Sequence, residues 1–131
     1  MKIKEFSQDD FQKAYKRIIR SLIRGKTTSS QPKAILLGGQ SGAGKTTIHR
    51  VKQREFQGNI IIIDGDSYRS FHPNYLGLQE KYGKDSVDYT KVFAGKMVEY
   101  LVDELSKQGY HLLIEGTLRT TEVPRKTAQL L

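Results

Sequence analysis

The sequence contains no cysteine. That absence removes three chemistries at once: a disulfide framework, a thiolate metal site and a cysteine nucleophile. It leaves the fold to rest on packing alone. Long apolar runs are also missing. Nowhere does the chain approach the roughly 20 apolar residues of a membrane span, and its start, MKIKEFSQDD, lacks the apolar centre of a signal peptide. The expectation is a cytoplasmic protein with no membrane partner. No internal repeat or low-complexity tract is visible. The histidines, His49, His72 and His111, lack metal-like spacing and are assigned no chemistry.

What remains is 131 residues, 37% hydrophobic and 27% charged, an ordinary balance for one soluble globular domain. The net charge of +8 is unevenly placed, because residues 1–33 hold nine Lys/Arg against three Asp/Glu. Within that segment Phe11, Ala14, Tyr15, Ile18, Ile19, Leu22 and Ile23 repeat at helical spacing, and Lys13, Lys16, Arg17, Arg20 and Arg24 take the other face. An amphipathic helix within residues 1–25 follows, with Ser7 as N-cap, Asp10 three residues later and Gly25 as the stop. Its basic face reads as solvated surface, and nucleic acid is not expected as a partner.

Three short apolar runs, Ala34 to Leu37, Ile60 to Asp64 and His111 to Glu115, are continuous rather than alternating. That suits strands covered on both faces of a parallel sheet. A helical stretch from Lys45 to Phe56, stopped by Gly58, links the first two as a βαβ crossover. The second crossover begins with SYRSFHPNYLGLQEKYGKDS, a candidate functional insertion, before a helix that starts near Ser86 and ends at Gly109.

Between the first strand and its helix, Gly39, Gly44, Lys45 and Thr46 fill the phosphate-loop pattern G-x-x-x-x-G-K-(S/T). Glycines let backbone N–H groups approach phosphate oxygens, and the helix N-terminus adds partial positive charge. Gly39, Gln40, Ser41, Gly42, Ala43, Gly44, Lys45, Thr46 and Thr47 are therefore the expected nucleotide-binding residues. Lys45 would reach the β and γ phosphates and the Thr46 hydroxyl would meet Mg²⁺. The fold class implied is α/β: a P-loop NTPase, nucleoside-kinase-like, with a parallel sheet, flanking helices, ATP and Mg²⁺.

Two strand ends add carboxylates. Asp66 is a candidate general base toward an acceptor hydroxyl, while Asp64 would hold either a Mg²⁺-bound water or the loop itself. Glu115 would serve as an acid beside the metal or bind substrate hydroxyls. Arg119 would meet a substrate phosphate or simply pair with Glu115.

With these residues in view, the chain resembles the zeta toxin family of bacterial toxin–antitoxin systems. LLGGQSGAGKTTIHR, IIDGDSYRSFHP, YGKDSVDYT, FAGKMVE and GYHLLIEGTLRT follow one another in that family's order. The resemblance implies an ATP-dependent kinase acting on the 3′-hydroxyl of UDP-N-acetylglucosamine and so blocking peptidoglycan synthesis. It makes Lys45 and Asp66 catalytic and brings Asp66, Glu99, Glu115, Thr117 and Arg119 to the sugar-nucleotide pocket. It also implies an antitoxin partner that silences the enzyme.

Family members continue past Leu131 with further strands and arginines that clamp the transferring phosphate. Such arginines are worth about 10³ to 10⁵ in rate, so weak or no transfer is expected of these residues alone. Other small-molecule P-loop kinases, or a remnant that binds only ATP or antitoxin, are the alternatives. The closing TAQLL reads as helical. A chain truncated after its third strand would leave the edge of a central first strand unpaired and prone to association.

Overall fold

The computed structural model describes residues 5–37, 43–115 and 128–130, and of residues 43–46 and 128–130 the backbone alone. Helix α1 spans Gln8–Ile23, opened by Ser7, whose hydroxyl accepts the Asp10 N–H at 3.0 Å. It is followed by Gly25 at φ +74°, where a residue without Cβ is unstrained. Strand β1 is Ala34–Leu37, helix α2 Ala43–Glu55, β2 Ile61–Asp64 and β3 Leu112–Glu115. Each strand lies within one residue of its expected bounds.

The long crossover between β2 and β3 is more structured than its polar sequence indicates. A 3-10 turn over Gly65–Phe71 leads into α3, Tyr75–Tyr82, and a second 3-10 turn, Gly83–Ser86, leads into α4, Val87–Gln108. Gly109 caps α4 at φ +94°, where a Cβ would also stand 3.1 Å from the Ser29 carbonyl.

A fourth strand, β4, covers Ala128–Leu130 and pairs parallel to β1. It corrects two expectations. Residues 128–130 of the TAQLL segment are extended rather than helical, and the edge of β1 is paired at residues 34–36 rather than bare. The central place expected for β1 is observed, in the order β2-β3-β1-β4. The physical reason is that a ladder edge rewards an extended partner with backbone hydrogen bonds that isolated helix propensity cannot offset in so short a segment.

Successive side chains alternate between the faces of the sheet, so the continuous apolar runs build two cores. On one face Ala34, Ile61, Ile63, Leu112 and Ile114 pack against α1 and α4 through Phe11, Ile18, Phe93, Met97 and Leu101. On the other, Ile35, Leu37, Ile60 and Leu113 meet Ile48 and Phe56, from α2 and its end. Lys96 fastens α1 to α4, its ammonium 4.6 Å from the centroid of the Phe11 ring and 3.0 Å from the Gln8 amide oxygen. The basic side chains of α1 lie on its exposed face, as their spacing requires.

Just before β3, the His111 ring lies tilted against Phe56, centroids 4.8 Å apart, and accepts the Lys33 backbone N–H at Nδ1, 3.0 Å away. Burial, and then the Lys33 charge, hold its pKa below the ordinary 6.5. The unfolded chain thus binds this proton more readily. The contribution is present above pH 6.5 and fades as pH falls through that value and below. The urea midpoint should therefore drop between about pH 7.5 and about pH 5.5 by more in the wild type than in His111→Asn, whose amide oxygen can accept the same N–H. Equal drops would remove His111 as the titrating group.

Candidate functional site

Strand alternation also fixes where the terminal carboxylates go. Ile62 and Leu113 face α2, so Asp64 and Glu115, two residues further along their strands, share that face. Cα pairing sets Leu37 beside Glu115 and Glu115 beside Asp64. Two acids therefore stand at the carboxyl ends of adjacent strands, next to the point where β1 enters the glycine-rich segment. Strand C-termini are where open parallel sheets bind ligands.

Asp64 caps the following turn: its Oδ1 accepts the Asp66 N–H at 3.1 Å, and its carbonyl accepts the Ser67 hydroxyl at 2.7 Å. Of the two roles left open for Asp64, it thus performs the loop-holding one and keeps Oδ2 for another. The turn projects Asp66 outward, its side chain 49% exposed and 3.4 Å from the Arg69 guanidinium. An exposed pair of this kind is worth about 0–1 kcal/mol, which a ligand can displace. Beneath them Tyr68 is buried. Burial first, then the Asp64 charge, push its hydroxyl well above the usual phenol range, so it stays protonated.

Glu115 differs from both aspartates. It is only 3% exposed, and its Oε1 lies 2.9 Å from Nε2 of His49 on α2. The approach is off the hydrogen-bonding direction: His49 Nε2 and Glu115 Oε2 are each buried with no hydrogen-bond partner. A buried polar atom left so costs about 1–3 kcal/mol, more when charged. Sequence reasoning passed over His49 because it tested histidines for metal spacing along the chain. The available signal was spatial, a helix residue facing a strand-end acid across the sheet.

The remaining candidates separate clearly. The backbone of Ala43, Gly44, Lys45 and Thr46 forms the first turn of α2, followed by exposed Thr47, so the helix N-terminus opens at the sheet's ligand edge. Gly39, Gln40, Ser41, Gly42, Thr117 and Arg119, with the side chains of Lys45 and Thr46, lie outside the described residues. Glu99 lines a different concavity of about 290 Å³ with Tyr15, Tyr100, Asp103 and Glu104. His72 is a packing residue whose Nδ1 accepts the Asn74 N–H.

Among the described residues no three His, Asp or Glu side chains converge as a metal site. That arrangement still suits Mg²⁺, which keeps several waters and takes one or two protein oxygens plus phosphates rather than a full protein cage. The unpartnered Oε2 of Glu115 and the second oxygen of Asp64 are acceptors of the required kind. Among the described residues no helix is long and apolar enough to cross a membrane.

Comparison with known proteins bears on the same segments. A family model described as Zeta toxin matches residues 19–131. The chain is 70% identical over 131 residues to Toxin PezT of Streptococcus pneumoniae serotype 4 (strain ATCC BAA-334 / TIGR4), covering all of this chain and 52% of that relative. It is 42% identical over 129 residues to Toxin zeta of Streptococcus pyogenes, covering 45% of that protein. A solved structure of the PezAT chromosomal toxin–antitoxin system of Streptococcus pneumoniae aligns with a TM-score of 0.87 at 63% identity, over 99% of this chain and 56% of that one. The chain thus spans about half the length of the curated relatives it matches.

Gly65 sets the distance between this site and α4, since a Cβ there would stand 3.1 Å from Val98 Cγ2 and 3.6 Å from the Glu115 carbonyl. Gly65→Val should lower unfolding free energy by about 1–3 kcal/mol through overpacking, read as a reduced urea midpoint. An unchanged midpoint would show that the turn can move off α4 at no cost.

Proposed function

The chain belongs to the zeta toxin family, and on that footing we propose that it carries the ATP-binding and acceptor-activating part of a kinase that phosphorylates the 3′-hydroxyl of UDP-N-acetylglucosamine. The observation that carries this reading is the placement of Asp64 and Glu115 side by side where β1 runs into the phosphate-loop segment. Fold, motif and paired acids all point to phosphoryl transfer. The choice of acceptor sugar comes from the family resemblance.

In this reading the backbone N–H groups of residues 39–47 and the Lys45 ammonium hold the triphosphate at the α2 N-terminus. Bound Mg²⁺ would neutralise charge developing on the phosphate oxygens, with Thr46 as its protein ligand and Asp64 meeting it through water. Asp66 accepts the proton of the sugar hydroxyl as that oxygen bonds to the γ-phosphorus and the bond to the β-phosphate oxygen breaks, leaving ADP. The exposed position of Asp66 on a capped turn supports this role, because the acceptor must reach it from solvent. Thr117, Arg119 and Glu99 are proposed to bind the sugar nucleotide, and Glu115, at the same strand end, to meet either a sugar hydroxyl or a water on the bound cation. An antitoxin is the proposed protein partner, supported by the likeness to the PezAT structure, and the reading places the protein in the cytoplasm, where both nucleotides are found.

Two measurements test the proposal. Calorimetric titration of the protein with ATP and Mg²⁺ should show binding that Lys45→Ala weakens strongly. Incubating the chain, extended to the length of its relatives, with ATP, Mg²⁺ and UDP-N-acetylglucosamine should yield a phosphorylated sugar nucleotide by mass spectrometry. Asp66→Asn should slow that transfer by about 10²–10⁴ while leaving ATP affinity in place. Turnover of a different small alcohol with this sugar untouched would refute the acceptor, and undiminished transfer by Asp66→Asn would remove the base.

A further inference from the structure

The pair formed by His49 and Glu115 is unlike the other ion pairs of the described residues. Those between Lys or Arg and a carboxylate have at least one partner about half-exposed or more, as Arg69 with Asp66 and Lys107 with Asp103 show. Here the carboxylate is 3% exposed and the imidazole 28%. A contact at 2.9 Å leaves Nε2 and Oε2 without hydrogen bonds. Each atom lacks one partner of opposite kind: Nε2 requires a better aligned acceptor or donor, and Oε2 requires a donor.

One rotation of the carboxylate answers both needs. If Oε1 swings into line with Nε2–H, Oε2 is left facing a donor that none of the described residues provides. His49 lies in α2, the helix that opens with the phosphate segment, and Glu115 is registered against Leu37, the last residue of β1. A ligand bound at the ends of β1 and β3 would bring such a donor to it.

We propose that His49 is a positioning residue, fixing Glu115 so that its second carboxylate oxygen accepts from an O–H donor carried by the bound nucleotide complex. This rests on the kinase reading above. Two sources share that chemistry, a water on the ATP-bound cation and an alcohol of the acceptor sugar. The adjacency of Glu115 to β1 favours the first. Because the contact spans α2 and β3, it also ties the helix under the phosphates to the strand beside the acceptor turn.

The experiment uses His49→Phe, which keeps a ring in the same space without a nitrogen, and His49→Gln, whose amide nitrogen can donate at similar reach. Affinity is measured by calorimetry for ATP with Mg²⁺, for ATP with EDTA, and for UDP-N-acetylglucosamine in the presence of a non-hydrolysable ATP analogue. The expected result is a loss of about tenfold or more in His49→Phe confined to ATP with Mg²⁺. Glu115→Gln should share that loss, His49→Gln should restore affinity, and metal-free ATP should bind equally to all four proteins. A loss confined to the sugar nucleotide with the same rescue supports the positioning role and assigns the donor to the acceptor alcohol. Equal losses with and without Mg²⁺, or no rescue by His49→Gln, reduce His49 to a packing residue and overturn the inference. Unaltered affinities in His49→Phe overturn it as well. If the wild type binds no ATP under any condition, the kinase reading fails first and the inference falls with it.

Discussion

Parallel strands that end on one line force a chemical decision at that line. Leu37, Glu115 and Asp64 are neighbours in register, so the core stops there across three strands at once, and whatever follows must satisfy backbone and side chains without another layer of apolar contacts. Here the chain meets that demand with a glycine-rich segment after β1, a capped 3-10 turn after β2 and a buried carboxylate at the end of β3. Each is a polar solution to the same geometric problem. Together they bring the N-terminus of α2, a held aspartate and an unfilled acceptor to one edge of the sheet.

Much of this was legible in the residues. Apolar runs covered on both faces must be strands of a sheet sandwiched between helices, and the two cores formed by even and odd positions of β1 to β3 show why the runs are continuous rather than alternating. The cap at Ser7 and the glycine ends at Gly25 and Gly109 could be read because each answers to a single backbone requirement. Helix α3 was missed for the opposite reason. Its eight residues, YLGLQEKY, include Gly77 and bury only Leu78, so it carries no periodic stripe and is held by contacts from outside its own sequence. Strand β4 is three residues whose conformation is set by the ladder of β1 rather than by their own pattern.

The site was legible in part, and the division follows from whether a role is local. Asp64 and Asp66 flank a glycine at a strand end, and that spacing is sufficient to suggest a turn with one acid capping and the other projecting. His49 and Glu115 are 66 residues apart in sequence and meet only when α2 folds back across β3 at 2.9 Å. No spacing rule along the chain contains that pair. The uncompensated atoms it leaves are also a burden on the ligand-free fold, of the kind retained where binding requires it, since apolar residues of similar volume would fill the same space at lower cost.

Helix geometry bears in the same way on Glu99. Its neighbour Val98 packs on Gly65 at the end of β2, which places this turn of α4 level with the ligand edge of the sheet. A step of one residue rotates the side chain by about 100°, and Glu99 accordingly faces Tyr15, Tyr100, Asp103 and Glu104 instead of Asp66. Height and direction are separate conditions, and α4 meets the first for Glu99 while the second turns it toward α1. The proposed part of Glu99 in binding the sugar nucleotide therefore rests on the family resemblance and not on the geometry of the strand ends.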